Sequence, residues 1–337
     1  MKRCGNIFSK VTDFHHLYNS AHWAVSGKKN KYLVQDFFLN LEPELLKLQD
    51  ELINKSYEPR PYHLFFIRDP KVRLICAPDF RDQVVHHSLC SLIEPIFERT
   101  MIHHSYACRV GKGSRRAIEY AKTNVRRYKY FLKLDVRKFF HSVNHELLAG
   151  IIARKIKDKD VLKLIDVILA HQPPATELGT GLPIGNLTSQ HFANMYLNQL
   201  DHFINEKLKI SGYLRYMDDL LLFSDDKKKL WECYYAIQDY LSEKLKLKLK
   251  DKATLLAPVM QGIPYLGFRI FPGLTRIKRE NLQRSKKRLK LRKKQLEAGL
   301  ITEDSYMQSI RSILGFWDQG QTWALRRSVL DLGWGDN

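Results

Sequence analysis

No stretch of this 337-residue chain is apolar for long enough to span a bilayer, and Met1-Lys2-Arg3-Cys4-Gly5-Asn6 lacks the apolar centre of a secretory signal. Both absences predict a cytoplasmic protein. Cysteine is scarce: the five residues Cys4, Cys76, Cys90, Cys108 and Cys233 are odd in number and form no Cys-x-x-Cys pairing. That argues against a disulfide framework or a zinc knuckle and leaves reduced thiols as the expectation. Acid is short as well. The 36 Asp and Glu stand against 56 Lys and Arg, a formal net charge of +20 with pI near 9.6. Such an excess argues against an enzyme of small neutral molecules and predicts a polyanionic partner. Neither a repeat nor a low-complexity tract interrupts the chain, which is long enough for two or three subdomains.

Against this basic background the acids that are present stand out. Tyr216-Met217-Asp218-Asp219 lies between Tyr213-Leu214-Arg215 and the apolar run Leu220 to Phe223, the pattern of two short strands with acid at the turn. Alone, Asp218-Asp219 reads as a polar turn. Adjacent carboxylates against an apolar hairpin repel and resist desolvation, so a divalent cation is the natural compensation. A third acid ends another buried-strand pattern, Phe131-Leu132-Lys133-Leu134-Asp135, followed by Val136-Arg137-Lys138-Phe139-Phe140. Two hard cations about 3.5 to 4 Å apart, held by carboxylates from separate strands, activate a hydroxyl and stabilise a leaving pyrophosphate. Asp135 and Asp218 suit that role.

Along the rest of the chain, Phe14 to Tyr57 reads as helical, with Leu41, Leu45, Leu48 and Leu52 at three- and four-residue spacing. Tyr62 to Ile67 and Val72 to Cys76 are strand patterns separated by the turn signal Asp69-Pro70-Lys71. Helices are predicted from Asp82 to about Phe97, Ser114 to Arg127, His145 to about Ala170, Ser189 to Phe203 and Lys227 to Leu245. Leu245 to Lys250 alternates with period two and predicts an edge strand with its lysines outward. From Arg276 to Lys294 basic residues dominate around Leu282, Leu289 and Leu296, predicting a helix with one apolar seam and a broad basic face. The pairs His15-His16, His86-His87 and His103-His104 read as packing or surface residues, because neighbours on a helix diverge by about 100°.

The order of these motifs resembles the reverse transcriptases. The match runs through the Asp135 to Phe140 segment, the Leu182-Pro183-Ile184-Gly185-Asn186-Leu187-Thr188-Ser189-Gln190 segment, the Tyr216 to Asp219 box and Tyr265-Leu266-Gly267-Phe268. Most members carry Gln-Gly and then Ser-Pro in the second segment, whereas this chain has Ile184-Gly185 and Ser189-Gln190. That substitution resembles the reverse transcriptases of diversity-generating retroelements, as do Phe192 to Asp201, Tyr106 to Arg109 and Gly111-Lys112-Gly113.

The resemblance implies an α+β right-hand polymerase fold: a helical framework over 1–60, fingers over 61–130, a palm over 131–272 (antiparallel sheet backed by helices, with a helical segment at 145–180) and a short helical thumb over 273–337. It implies RNA-directed DNA synthesis with two Mg2+ ions, Mn2+ as a substitute. Asp135, Asp218 and Asp219 would be catalytic, with the Val136 carbonyl completing the metal shell. Lys71, Arg73, Arg81, Phe140, Ile184, Gly185 and Gln190 would contact the nucleotide, with Gly185 allowing close backbone approach. Lys252 stands where a lysine protonates departing pyrophosphate, Tyr265, Leu266 and Gly267 form the primer grip, and Arg284, Lys287, Arg288 and Arg292 face the duplex. Phe140 would exclude a 2′-hydroxyl. Ile184 replaces a hydrogen-bonding glutamine, which predicts weakened base selection, and the subfamily places the errors at template adenines. Implied partners are deoxynucleotides, a template RNA with its RNA/cDNA duplex, and a small basic accessory variability determinant, in a prokaryotic cell or its phage. The alternatives are a defence-associated or retron-like enzyme, and a maturase-like or non-catalytic RNA-binding protein.

Overall fold

The computed structural model describes residues 3–27, 32–68, 71–174 and 176–331. The amino-terminal segment is helical: α1 (Phe8–Val11), α2 (Phe14–Ala24), α3 (Tyr32–Leu39) and α4 (Leu41–Ile53). Leu45, Leu48 and Leu52 make one buried stripe on α4, as their spacing predicts. A hairpin follows, β1 (His63–Arg68) against β2 (Val72–Ala77), in antiparallel register from His63 opposite Ala77 to Arg68 opposite Val72. Asp69 and Pro70 of the expected turn lie outside the described residues. Next come α5 (Phe80–Glu98), which Asp79 caps by accepting from the Arg81 amide, and α6 (Ser114–Arg127).

The central layer is built from β3 (Tyr130–Asp135), α7 (Phe139–Ser142), α8 (His145–Ala153), α9 (Lys159–Ala170), α10 (Leu187–His202), the hairpin β4 (Gly212–Tyr216) and β5 (Asp219–Ser224), α11 (Lys227–Leu245) and β6 (Leu255–Pro258). The four strands form one antiparallel sheet in the order β4-β5-β3-β6. The strands read as continuous apolar runs because both faces are covered. Leu132, Leu134, Leu220 and Leu222 enter the large core shared with α10 and α11. Phe131, Leu214, Leu221 and Phe223 enter a second core with α6. Alternation therefore places Lys133 and Asp135 on the second face, and register sets Asp135 opposite Asp219 at the end of the ladder.

The segment from Leu245 to Lys250 corrects an expectation. Burial alternates as predicted, with Leu245, Leu247 and Leu249 inside and Lys246 and Lys248 outside. Pairing, however, is reduced to a single bridge between Leu249 and Val136, flanked by two amide bonds: Arg137 N–H to the Lys248 carbonyl, 2.8 Å, and Lys250 N–H to the Asp135 carbonyl, 2.9 Å. The reason is local. Lys246 ends α11 in the left-handed conformation (φ 51°), and the Leu247 amide turns back to the Leu241 carbonyl. The edge strand beside β3 is β6.

Beyond it, β7 (Ile263–Tyr265), β8 (Phe268–Phe271) and β9 (Leu274–Ile277) form a three-stranded meander. The boundary drawn at 272 falls inside its β8–β9 turn. The chain then runs through α12 (Arg279–Glu297), α13 (Glu303–Trp317) and α14 (Trp323–Asp331). Leu289, Ile313 and Trp317 close a small separate core against which Leu282 packs. Among the described residues no helix is long and apolar enough to cross a membrane.

Candidate active site

Tyr216 pairs with Asp219, so Met217-Asp218 is a two-residue hairpin turn, and Met217 adopts φ 56°. That conformation is unusual for a side chain of this type. Arg215 holds it: Nη1 donates to the Met217 carbonyl at 3.1 Å. The guanidinium is fully buried, with Nε 2.8 Å and 3.0 Å from the Asp201 oxygens, Nη2 2.7 Å from Oδ2, and Nη1 3.0 Å from Asn194 Oδ1. Tyr213 adds a 2.6 Å donation to Asp201. Sequence reasoning used Asn194 and Asp201 only as marks of resemblance and missed this brace. The available signal was an arginine in an otherwise apolar strand, which demands a buried partner.

The carboxylates crowd one another. Burial, together with the charges of Asp135 and Asp219, pushes the Asp218 carboxyl up to about 6, while Arg73 opposes the shift. Burial also raises Asp219 against the nearby Lys133 ammonium. Lys133 Nζ lies 2.9 Å from Asp219 Oδ1 and 3.2 Å from Oδ2. Only the Oδ2 contact is aligned as a hydrogen bond, so Oδ1 is buried without such a partner. Among the described residues, no three His, Cys, Asp or Glu side chains are gathered as a metal-binding group. The donor set nonetheless fits a hard divalent cation: oxygen ligands only, mutually repelling, with one buried carboxylate oxygen unsatisfied.

A cleft of about 810 Å³ opens over this turn. It brings together Lys71, Arg73, Asp135, Val136, Phe140, Ile184, Asp218 and Lys252. Phe139 is 2 % exposed and packs in the core, whereas its neighbour Phe140 is half-buried at the cleft. Arg137, Lys138 and His141 also line it and were not expected there. Burial, reinforced by Lys138, holds His141 below its ordinary value.

Other expected residues lie elsewhere. Arg81 is 4 % exposed, ion-paired with Glu51 and 5.4 Å over the Tyr57 ring. It does not line the cleft, so its expected contact with nucleotide is corrected: helix α4 supplies a carboxylate that the local sequence does not reveal. Gly185 is exposed, and its lack of a side chain is also required by the packing of β2. At φ 120°, a Cβ there would meet Ile75 Cγ2 at 2.9 Å and the Cys76 carbonyl at 3.3 Å. The same contact is stitched by the Cys76 amide donating to the Ile184 carbonyl at 2.8 Å. Gln190 is exposed on α10 and is not among the residues lining the cleft.

Leu266 (φ 42°) and Gly267 (φ 88°) form the β7–β8 turn after the fully buried Tyr265. A Cβ on Gly267 would strike Asn281 Nδ2 at 2.5 Å and Phe316 Cζ at 2.9 Å, so the turn is packed on α12 and α13. On α12, Arg284 and Arg288 line a groove with Ser285 and Ser312, Lys287 is exposed, and Arg292 donates to Gln295 Oε1 at 3.3 Å. The histidine pairs pack as expected: His16 bonds the Ser88 carbonyl at 3.2 Å, His86 is buried, and His104 stacks on Tyr120 at 3.7 Å.

A small antiparallel sheet backed by helices, carrying acids at the end of its central ladder under a basic cleft, is the palm of a right-hand polymerase. Within that class the chain belongs to the reverse transcriptase (RNA-dependent DNA polymerase) family, whose model matches residues 67–270. Protein YkfC of Escherichia coli is 27% identical over 290 residues, covering 72% of this chain and 74% of that protein. The group II intron-encoded protein LtrA of Lactococcus lactis is 27% identical over 172 residues, 48% of this chain but 28% of its own length. Apo telomerase from Candida tropicalis, truncated from its C-terminal domain, shares the fold with TM-score 0.51 at 12% identity, covering 69% of this chain and 59% of that one.

Proposed function

We propose that this reverse transcriptase copies an RNA template into DNA by two-metal nucleotidyl transfer, as the mutagenic polymerase of a diversity-generating retroelement. One observation carries the chemistry: Asp135 and Asp218 share a cleft with the cations Lys71 and Arg73 and with Phe140 and Ile184. Asp135 and Asp218 would hold both Mg2+ ions, with Asp219 and the Val136 carbonyl supporting them. Bound Mg2+ supplies Lewis-acid stabilisation of the phosphoryl oxygens and a stronger hydroxyl nucleophile. Arg73 and Lys71 bind the triphosphate, and Lys252, exposed at the cleft, donates a proton to the departing pyrophosphate. Phe140 blocks a ribose 2′-hydroxyl. Tyr265, Leu266 and Gly267 seat the primer end, while Arg284, Lys287, Arg288 and Arg292 bind duplex phosphates. Asp218→Ala/Asp219→Ala is expected to abolish primer extension and leave the thermal transition in place. Full activity in that variant would sink the assignment.

The subtype rests on Ile184. It lines the cleft without a hydrogen-bonding group, so one positioning interaction of about 1 kcal/mol is missing, several-fold in discrimination. The template RNA and a small basic accessory protein complete the proposed system. Sequencing cDNA made from an RNA with every base in varied contexts tests it. Errors clustered at template adenines support the diversity-generating reading, and faithful copying moves the enzyme to a defence or retron-like role. A maturase-like role in intron RNA folding is the second reading, favoured by intron-encoded relatives such as LtrA. Splicing assays with the polymerase-dead variant distinguish it.

A further inference from the structure

We infer that Lys133 is a positioning residue that ties Asp219 to the turn proposed to seat the primer end. The inference rests on the three-aspartate reading above and adds a residue which that reading does not use. Lys133 lies two residues before Asp135 on the same face of β3, opposite Leu221. Its side chain is 16% exposed, and its ammonium donates to Asp219 Oδ2 at 3.2 Å and to the Pro264 carbonyl at 3.2 Å, with Asp219 Oδ1 beside it as an ion-pair contact at 2.9 Å. It also stands 6.0 Å from the centre of the Tyr265 ring. An ammonium has three protons, and one withdrawn from water requires partners for them.

The topology explains why this contact joins two parts of the molecule. β7 is an edge strand of the meander, and Pro264 pairs with Arg269 on its inner side. A proline suits such an edge, since it has no amide proton to leave unpaired. Its carbonyl meets Lys133 from the four-stranded sheet, so one side chain bridges the acid turn and the hairpin ending in Tyr265, Leu266 and Gly267. That hairpin is anchored on its far side, where the Lys278 amide donates to the Gly267 carbonyl at 3.0 Å. Because the ammonium is held by the Pro264 carbonyl as well as by Asp219, Lys133 adds more than charge. It sets where the Asp219 carboxylate stands relative to the primer turn, and a displacement of this kind costs about 10- to 100-fold in rate.

The test compares Lys133→Met and Lys133→Arg in the full chain on a DNA primer annealed to an RNA template. Single-nucleotide addition gives kcat and the KM for deoxynucleotide. A 2-aminopurine at the primer 3′ end, read by fluorescence in EDTA, reports seating without any metal or turnover. Lys133→Met is expected to lower kcat about 10-fold or more with the nucleotide KM within about twofold, and to raise the 2-aminopurine signal. Lys133→Arg restores most of both. In an Asp219→Asn background, Lys133→Met adds no further loss if it acts through that carboxylate. Unchanged kcat and seating in Lys133→Met overturn the inference, as does a loss of equal size with Asp219 already replaced. Should Lys133→Met fail to fold, Lys133→Ala, which likewise removes every donor, is read in its place against the same outcomes. An active Asp218→Ala/Asp219→Ala enzyme would instead overturn the three-aspartate reading itself, so the two failures are distinct.

Discussion

Arg215→Met is the most informative perturbation of the acid turn. It removes the guanidinium from beneath Met217 while leaving Asp201 and Asn194 buried, at 0% and 1% exposure. Breaking one side of a buried ion pair costs about 3 to 5 kcal/mol, because the surviving charge is left uncompensated. Asp201 keeps one donor, the Tyr213 hydroxyl at 2.6 Å, which places the expected loss near the lower end. About 3 kcal/mol is a large share of the roughly 5 to 15 kcal/mol that holds a domain together. With a urea m-value of roughly 3 kcal/mol/M, the unfolding midpoint should fall by about 1 M. Replacing both partners, Arg215→Met/Asp201→Leu, removes the stranded charge and should recover more than half of that loss. Primer extension should not recover with it, since the Met217 carbonyl still lacks its donor and the left-handed turn loses its brace. A midpoint unchanged in Arg215→Met, or a double variant no more stable than the single, would refute the reasoning. Full activity in the stable double variant would refute the role assigned to the brace.

Phe140→Ala should admit ribonucleotides, seen as a rise of about tenfold or more in their incorporation relative to deoxynucleotides; unchanged sugar discrimination rules the steric role out. Ile184→Gln should lower the misincorporation frequency several-fold, and an unaltered error spectrum in sequenced cDNA removes this residue as the cause of infidelity. Asp82 supplies a pH test away from the cleft. Burial pushes its carboxyl up to about 6 against the hydrogen bonds from the Tyr57 hydroxyl and the Arg60 amide. The folded chain therefore binds more protons than the unfolded chain between about pH 4 and 6, and stability falls by up to about 3 kcal/mol as pH rises through that window, then levels. Asp82→Asn should flatten this dependence in urea midpoints taken from pH 4 to 7.5; an identical slope contradicts the assignment.

The palm was legible because its periods are unambiguous. β3 is a largely apolar run that ends in acid and β5 one that begins with it, and α6 and α11 span the residues over which helices are predicted. What escaped were facts of tertiary neighbourhood. Arg81 reads as a free cation beside a basic hairpin until α4 sets Glu51 against it. Gly185 reads as room for a nucleotide, and the close approach of β2 is a second demand on it that the local sequence does not show. The brace under the acid turn joins residues from α10 and β4 whose partnership depends on α10 turning that face inward. Leu245 to Lys250 shows the limit from the other side: alternation predicted which side chains are buried, but not that a left-handed cap would use up the strand's pairing.

These cases share a cause in the two-sided burial of the central sheet. A strand covered on both faces tolerates charge only where it is paired or where the cover ends. Asp135 lines the cleft from the last ladder pair, opposite Asp219, and Asp218 lies one step beyond, in the turn. Arg215, inside the cover, is neutralised completely, while Lys133, near its edge, is shared between an acid and a backbone carbonyl. Each charge near the turn is thus fixed by how much of the sheet's cover reaches it. The same geometry that makes the acids expensive to place keeps them at the cleft, held from beneath by Arg215 and from the side by Lys133.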